Sequence, residues 1–387
     1  MAAAPSRQEA LTALTSDLRE LDLALREQHK QQANGAQAAK QGGGASEEKA
    51  VADAKPLVIM TLNLQYFASY PTDSEKALAK LRVALGGDNP PDVICVQEGL
   101  ASRDVLKDVG FELVICSGKE GQAQSVREMV YSDAAALKAC PEENHDQLLC
   151  NQLYIRKGAA WEVDEKGVER ISTETLLTGG GARVEGPLAI RSMVWLKLKK
   201  PSSPAVFVMC THITGGRFED QYFIQQLAQE RRNQIHKCVS FFRHRRPRAY
   251  SDDVGILVGD FNATERYIAN GPMSGYFKFG IAGSEGVKSD AAAAGLTEPE
   301  EIEASFKEYM VSPFTALTSS RWIFAYGEEV GVTSAFGHLI DHMALSRKVP
   351  VKSTEIVFFT NQKIKDKPED TDTIITDHNA VKVTLDI

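Results

Sequence analysis

Short apolar runs recur along most of this chain, and they constrain its fold more than any other feature of the sequence. Several of them are apolar at consecutive positions, so both faces of the strands that they predict would be buried. Strands of this kind belong to sheets that are covered on both sides. The predicted strands comprise residues 57–64, 92–97, 148–155, 193–198, 205–211, 255–258, 339–345, 356–359 and 381–387.

Helical patterns separate these strands, which predicts an α/β domain. Residues 73–85 and 218–242 are predicted to be helices. Residues 269–308, rich in glycine, alanine and glutamate, are predicted to be a surface insertion of loops with a short helix. A chain of 387 residues that is 43% apolar can bury a large core in one such domain, with at most a small appendage.

A leucine seam marks the N-terminal segment, residues 1–30. Leu11, Leu14, Leu18, Leu21 and Leu25 alternate three and four positions apart, which predicts an amphipathic helix. This helix would serve self-association or docking, or would pack loosely on its own domain. Residues 31–54, rich in alanine, glutamine, glycine and serine, are typical of a flexible linker. The folded domain would therefore comprise residues 55–387.

Charge and cysteine usage narrow the functional classes. The formal net charge of -8 provides no overall field that would attract nucleic acid or an anionic membrane, although a local basic patch would still do so. The six cysteines show no CxxC spacing, as expected of free, buried thiols in a reducing compartment. No apolar run approaches the roughly 18 residues needed to span a membrane. The sequence predicts an intracellular protein without a transmembrane segment.

Polar residues of catalytic type stand at the ends of the predicted strands. Taken singly, each is more often a structural residue than a catalytic one. Their joint occurrence predicts that they converge on one rim of a sheet, and carboxylates, carboxamides and histidines together indicate a metal-assisted hydrolase. These residues are Asn63, Glu98, His212, Asp260, Asn262, Asp377 and His378.

Asp341 lies inside a predicted strand, where an unpaired charge would be costly. A buried aspartate needs a partner, and a histidine is a natural one. His338 and His342 flank Asp341, but the alternation of side chains along a strand would direct both to the opposite face. We therefore expect neither to act in catalysis. Tyr154 and Arg191 lie on strands that would border the cleft, and we expect structural roles for both.

The order of these motifs resembles that of the endonuclease/exonuclease/phosphatase superfamily, which includes DNase I, neutral sphingomyelinases and polyA deadenylases. The resemblance covers most of the chain after the linker. It implies a four-layer αββα sandwich, in which two packed mixed β-sheets are flanked by helices and the site lies at one edge. The matching motifs are Thr61-Leu62-Asn63, Gln97-Glu98, Thr211-His212, Gly259-Asp260-Phe261-Asn262, Ile340-Asp341 and Asp377-His378.

The resemblance also implies a metal site for phosphoester hydrolysis. Glu98 would be the principal ligand of Mg²⁺, with Asn63 and Asp377 beside it, because hard oxygen ligands suit this ion. Mn²⁺ would be able to replace it. Whether the site holds one metal ion or two stays open at this stage.

Catalytic roles follow from the same resemblance. Asp260 would orient or deprotonate the attacking water, and Asn262 would hold that water or a phosphoryl oxygen. His378, oriented by Asp341, would donate a hydrogen bond to the phosphate, and His212 would do so from the other side. The sequence does not decide whether Asp260 or His378 is the general base.

The sequence constrains the identity of the substrate less than it constrains the site residues. A phosphodiester of nucleic acid or phospholipid is slightly favoured over a phosphomonoester, and a catalytically silent scaffold is the alternative from another class. Arg217 follows two glycines after His212, where it would bind substrate phosphate or belong to a turn that caps the next helix. The basic run from Arg243 to Arg248 would contact a phosphate backbone or an anionic lipid, or would form a solvated helix end.

Overall fold

The structure, a computed structural model, describes residues 56–64, 74–87, 89–104, 106–129, 142–173, 176–177, 186–201, 203–215, 223–246, 252–265, 292, 294–334, 338–357, 359, 376 and 378–387. The predicted N-terminal helix and linker, residues 1–54, lie outside these ranges. No helix in the described part of the chain has the length and apolar character that crossing a membrane requires.

The described strands are β1 (Leu57–Asn63), β2 (Val93–Leu100), β3 (Phe111–Cys116), β4 (Gln124–Ser125), β5 (Leu148–Arg156), β6 (Glu162–Arg170), β7 (Leu176–Leu177), β8 (Gly186–Pro187), β9 (Ser192–Lys199), β10 (Val206–His212), β11 (Val254–Asp260), β12 (Ile323–Phe324), β13 (Asp341–Leu345), β14 (Val351–Val357) and β15 (Ala380–Leu385). The described α-helices are α1 (Ser74–Leu85), α2 (Val126–Met129), α3 (Ile224–Arg245) and α4 (Pro299–Ser319). Short 3₁₀ turns occupy Lys107–Val109, Glu142–Asn144 and Glu328–Val330.

Two mixed sheets contain most of these strands. The first sheet has the order β14-β15-β1-β2-β5-β3, with β4 also paired to β5, and the second has the order β12-β13-β11-β10-β9-β6. At the centre of the first sheet, β1 is parallel to β2 and antiparallel to β15. At the centre of the second, β10 is parallel to β11 and antiparallel to β9. The parallel pairs bring the carboxyl ends of four strands to one edge of the molecule.

Burial on both faces of the strands explains the layers. In β1, Leu57 and Ile59 join the apolar core between the two sheets, whereas Met60 and Leu62 face the other way and pack beneath α1. The second sheet has the same arrangement, because its outer face packs against α3 and α4. The layers are therefore helix, sheet, sheet and helix, which confirms the predicted αββα sandwich.

The predicted loop insertion at residues 269–308 is wrong over its last part, where α4 begins at Pro299 and runs for 21 residues. Proline at the first helical position and Glu300 and Glu301 in the first turn favour a helix start. Phe306, Met310, Phe314 and Leu317 then recur every three or four positions and are buried. The glycine-rich and alanine-rich stretch upstream obscured this periodicity.

Several edge strands also differ from the sequence prediction. β6 (Glu162–Arg170) is rich in charged residues and mostly exposed or half-buried, so it has no apolar run that would identify it. β3 was not predicted either, although it is largely apolar. β14 comprises Val351–Val357 instead of the predicted residues 356–359. None of these strands carries a predicted site residue.

Candidate active site

Strand register brings the predicted site residues to one edge of the sandwich. In the second sheet, His212 of β10 is the register partner of Asp260 of β11, and Asp260 is in turn the partner of Asp341 of β13. In the first sheet, β1 ends at Asn63 beside the end of β2, which carries Glu98. Both sheets therefore contribute side chains to the same edge.

Asn63 connects the acids of the two sheets. Its Nδ2 donates to Asp260 Oδ2 at 2.9 Å and approaches Glu98 Oε1 at 3.3 Å. Glu98 lies where the pairing of β2 with β5 shifts register, and its φ of 53° is in the left-handed region. A bulge of this kind redirects a side chain, which explains how a residue within a buried strand reaches the site.

Asp260 is buried at the centre of the site. Burial raises the pKa of its carboxyl to about 6, and the nearby charge of Asp341 adds to the effect. The backbone N–H of Asn262 donates to Oδ1 at 2.7 Å, and together with Asn63 and His378 it favours the ionised form of this carboxyl. The elevated pKa indicates a carboxylate that is held ready to accept a proton near neutral pH.

The glycine before Asp260 makes this position possible. Gly259 has a φ of 145°, and a Cβ added there would lie 1.9 Å from the carbonyl oxygen of Thr211 on the neighbouring strand. Any other residue would push β10 and β11 apart. Gly259 therefore fixes the close approach that sets Asp260 beside His212.

His212 and Asn262 form a second contact at this edge. Asn262 Nδ2 lies 2.8 Å from His212 Nε2 and donates to the carbonyl of Ile213 at 3.1 Å. Burial lowers the pKa of His212 well below its usual value, and the charges of Arg191 and His378 lower it further. The imidazole is thus neutral, so Nε2 accepts from Asn262 while Nδ1 carries the proton and faces Glu98 Oε1 at 3.7 Å.

The expected pairing of Asp341 with a histidine is present. His378 Nδ1 lies 2.8 Å from Asp341 Oδ2, and Asp341 is fully buried. This carboxylate fixes the tautomer with the proton on Nδ1, which leaves Nε2 of His378 pointing to the site, 3.9 Å from Asp260 Oδ2. Asp260 therefore lies between the two histidines.

Two overlapping groups of side chains are close enough to hold a cation. One consists of Glu98, His212 and Asp260, and the other of Asp260, Asp341 and His378; within each group the ligand atoms lie within 4.8 Å of one another. Asp341 Oδ1 is buried and has no hydrogen-bond partner among the described residues. Closely spaced carboxylate oxygens and the carboxamide of Asn63 form a donor set that fits a hard divalent ion.

The structure places most of the predicted site residues together. Two of them, Asp377 and Arg217, lie outside the described ranges. His342 points away from the site, as strand alternation predicts: its Nε2 bonds the carbonyl of Ala263 at 2.8 Å, and its ring packs edge-on against Phe314.

The basic run that begins at Arg243 is largely engaged by the protein itself. Arg243 donates to the carbonyl of Ser320 at 3.0 Å. Arg245 stacks over Trp195 at 5.0 Å, and Arg246 lies over Phe242 at 5.7 Å. These contacts favour the helix-end interpretation of Arg243, Arg245 and Arg246.

Arg191 borders the cleft, as the sequence predicts, but its surroundings differ from the structural role expected for it. It lines a small cleft with Glu98, His212, Ser117 and Asn151. Burial lowers the pKa of its guanidinium, whereas the charges of Glu98 and Asp260 act in the opposite direction, and its Nε donates to no described residue. Its position directly before a buried strand, Ser192–Lys199, is the one signal that marked it as a cleft residue.

Comparison with known proteins supports the fold. No protein-family model and no curated protein matches the chain. The human Nocturnin catalytic domain with bound sulfate anion is 13% identical over 85% of this chain and 94% of that one, with a TM-score of 0.50. The endonuclease/exonuclease/phosphatase from Beutenbergia cavernae is 14% identical over 86% of this chain and 72% of that one, with a TM-score of 0.47.

An endonuclease/exonuclease/phosphatase family protein from Leptotrichia buccalis is 12% identical over 86% of this chain and 100% of that one, with a TM-score of 0.47. Identities this low speak to the arrangement of the elements and not to activity. With its two packed mixed sheets and flanking helices, the chain has the DNase I-like fold of the endonuclease/exonuclease/phosphatase superfamily.

Proposed function

We propose that this chain is a divalent-metal-dependent hydrolase that cleaves a phosphodiester by in-line attack of water. The observation that carries the proposal is the convergence of two carboxylates and two histidines on one point. Asp260 lies 3.6 Å from His212 and 3.9 Å from His378, and Asn63 links it to Glu98. A structural site has no need to bury so many titratable groups together.

Glu98 and Asn63, with Asp377 assigned from sequence, would hold Mg²⁺ or Mn²⁺. A bound ion would neutralise phosphoryl charge and lower the pKa of a water molecule. His212 is a poor first choice as a ligand, because both of its nitrogens already face protein groups, Asn262 Nδ2 at 2.8 Å and Glu98 Oε1 at 3.7 Å. Its neutral ring would instead orient Asn262 through Nε2 and would donate a hydrogen bond from Nδ1 to a phosphoryl oxygen.

Asp260 would accept the proton of the attacking water. Its pKa of about 6 allows it to be ionised at neutral pH while remaining a competent base. Asn262 would hold that water through its carboxamide oxygen, since Nδ2 already bonds His212 and Ile213. This assignment uses Asp260 as the base and leaves His378 free for a different task.

His378 would stabilise the negative charge that develops on the phosphate. Protonation at Nε2 would give it a donor directed into the site, and Asp341 would stabilise the resulting imidazolium through the 2.8 Å contact to Nδ1. In the reaction, the water oxygen bonds to phosphorus as the bond to the leaving oxygen breaks, and the proton of the water passes to Asp260. The leaving oxygen takes a proton from solvent or from His378.

Arg191 would bind the non-bridging oxygens of the substrate from the cleft. Among the cleft-lining residues that the structure describes, it is the one permanently charged cation. The planar fork of donors on a guanidinium suits the two non-bridging oxygens of a phosphodiester. Ser117 and Asn151, which line the same cleft, are neutral and bond the protein itself, so they add no further charge beside Arg191.

The test is a hydrolysis panel on the purified full chain, with Mg²⁺, with Mn²⁺ and with EDTA. Substrates are bis-p-nitrophenyl phosphate, p-nitrophenyl phosphate, single-stranded and double-stranded DNA, polyA RNA, sphingomyelin and phosphoinositides. We expect metal-dependent cleavage of one diester class that Glu98→Gln and His378→Ala abolish. His236→Ala is the matched control, since this exposed histidine lies on α3, away from the site.

Preference for the monoester would move the assignment to a phosphomonoesterase. Absence of turnover together with absence of Mg²⁺ binding by calorimetry would overturn the proposal and favour a binding or scaffold protein. Activity that survives in His378→Ala would contradict the role given to the Asp341 and His378 pair.

A further inference from the structure

A fully buried arginine lies directly behind the site. Arg231 belongs to α3 (Ile224–Arg245), and its side chain is 0% exposed. Burying a guanidinium is unfavourable unless its donors are satisfied. Burial lowers the pKa of Arg231, whereas its contacts with Tyr309 and, to a smaller extent, the charge of Asp260 act in the opposite direction.

The donors of Arg231 are directed at the two loops that carry the site residues. Nη1 donates to the carbonyl of Thr214 at 2.7 Å, two residues after His212. Nη2 donates to the carbonyls of Phe261 and Asn262 at 3.2 and 2.9 Å. One guanidinium thus holds the chain where it leaves β10 and also where it leaves β11.

Residues of α4 hold the rest of the guanidinium. Nε donates to Ser312 Oγ at 3.2 Å, and the Ser312 hydroxyl donates in turn to the carbonyl of Tyr309 at 2.8 Å. The guanidinium carbon lies 4.2 Å from the centre of the Tyr309 ring. Stacking on the ring and the planar fork of donors together set the orientation, which a lysine ammonium would not reproduce.

The neighbouring buried residue Gln234 binds the same loop. The backbone N–H of Thr214 donates to Gln234 Oε1 at 2.9 Å, and Gln234 Nε2 donates to Thr214 Oγ1 at 2.7 Å. Gly215 follows, and a Cβ added to it would lie 2.2 Å from Asn262 Cγ. The loops after β10 and β11 therefore lie in contact on the side that faces the site, and side chains of α3 bond both loops on the opposite side.

A single peptide group connects Arg231 to the centre of the site. The carbonyl of Phe261 accepts from Arg231, and the N–H of the same peptide, which belongs to Asn262, donates to Asp260 Oδ1 at 2.7 Å. Asn262 also has a left-handed backbone with a φ of 49°. A cation on the carbonyl side holds this peptide in the orientation that Asp260 requires.

We propose that Arg231 is a positioning residue that fixes the separation of the loops carrying His212 and Asn262. The role rests on the proposed phosphodiester hydrolysis. Arg231 acts through the backbone and touches no substrate, so its loss should lower kcat and leave KM nearly unchanged. A displacement of about 1 Å at a reacting group lowers a rate by about 10²-fold, which sets the expected size of the effect.

The test compares Arg231→Met and Arg231→Lys with Arg232→Met. Arg232 is the adjacent arginine of α3 and pairs instead with Glu308 at 2.7 Å near the surface. We expect kcat to fall about 10²-fold in both Arg231 variants with KM within about threefold of wild type, and Arg232→Met to match wild type. Methylguanidinium added to Arg231→Ala should restore part of kcat.

Amide hydrogen exchange measures the same positioning without any turnover. Exchange at the N–H groups of Thr214 and Asn262 should accelerate in the Arg231 variants, while β9 amides remain protected. If the wild type hydrolyses nothing, the exchange result still decides the role of Arg231. Unchanged exchange and kcat in a folded Arg231→Lys would overturn the proposal, and so would a variant that is simply unfolded, because the role would then be stability alone.

Discussion

Asp260→Asn should make the metal-free protein more stable at neutral pH while abolishing hydrolysis. Asp260 is 2% exposed and lies near Asp341, and both features raise its pKa from 3.8 to about 6. A carboxylate held in this environment destabilises the folded state when it is ionised. Replacing it with a neutral amide of the same shape removes that penalty.

The size and sign of this change in stability follow from the pKa values of Asp260 in the unfolded and folded states. Below pH 3.8 the group is protonated in the folded and unfolded states, so it imposes no penalty. As the pH rises to about 6, the folded state retains the proton longer, and stability falls by up to about 3 kcal/mol. The amide would also place a donor against Nδ2 of Asn63, so we expect a net gain of about 1–3 kcal/mol at pH 7.5 and almost none at pH 4.

Urea denaturation in EDTA, at pH 4, 5.5 and 7.5, measures this gain. Asp252→Asn is the matched control, because this exposed aspartate lies just before the opposite end of β11. It should change stability by less than about 0.5 kcal/mol at every pH. A stability difference between Asp260→Asn and wild type that does not grow with pH would refute the reasoning.

Three further perturbations test separate parts of the site. Glu98→Gln should weaken Mg²⁺ binding more than about 100-fold, as measured by calorimetry, with the fold intact by circular dichroism. Asp341→Asn should lower kcat about 10³-fold with little change in KM, because the histidine tautomer is lost. Gly259→Ala, whose added methyl would lie 1.9 Å from the carbonyl oxygen of Thr211, should cost about 3 kcal/mol or more in urea denaturation. Gly121→Ala, which meets open space, should cost about 1 kcal/mol.

The features that the sequence predicted are those that depend on local pattern. A strand buried on both faces is visible as a continuous apolar run, so the core strands such as β1 and β10 were found almost to the residue. The sequence also predicted the convergence of the site, and the structure gives its geometric basis: His212 and Asp260 each end a strand, and these strands are parallel neighbours. The first prediction rested on apolar runs, and the second on the joint occurrence of polar residues at strand ends and on the order of the motifs along the chain.

The residues that escaped prediction depend on contacts distant in sequence. Arg231 and Gln234 look like the polar face of an exposed helix, yet both are buried. Arg231 donates to the carbonyls of residues 214, 261 and 262, whereas Gln234 bonds the backbone N–H and the hydroxyl of Thr214. For Arg191 the sequence predicts a position at the border of the cleft but a structural role, because its proximity to Glu98 and Asp260 is visible only in the structure. A single sequence carries no signal for which buried carbonyls a distant arginine will satisfy.

The position of Asp260 determines how the site has to be dissected. It belongs to both groups of possible cation ligands, whereas Glu98 belongs to one and Asp341 to the other. A change at Asp260 therefore disturbs metal binding, water activation and the histidine pair at once, and its kinetic effect cannot be divided among them. Glu98→Gln and Asp341→Asn act on one group each. If the two groups serve the same chemical step, the double variant should lose less activity than the product of the single effects; a fully multiplicative loss would mean that they act independently.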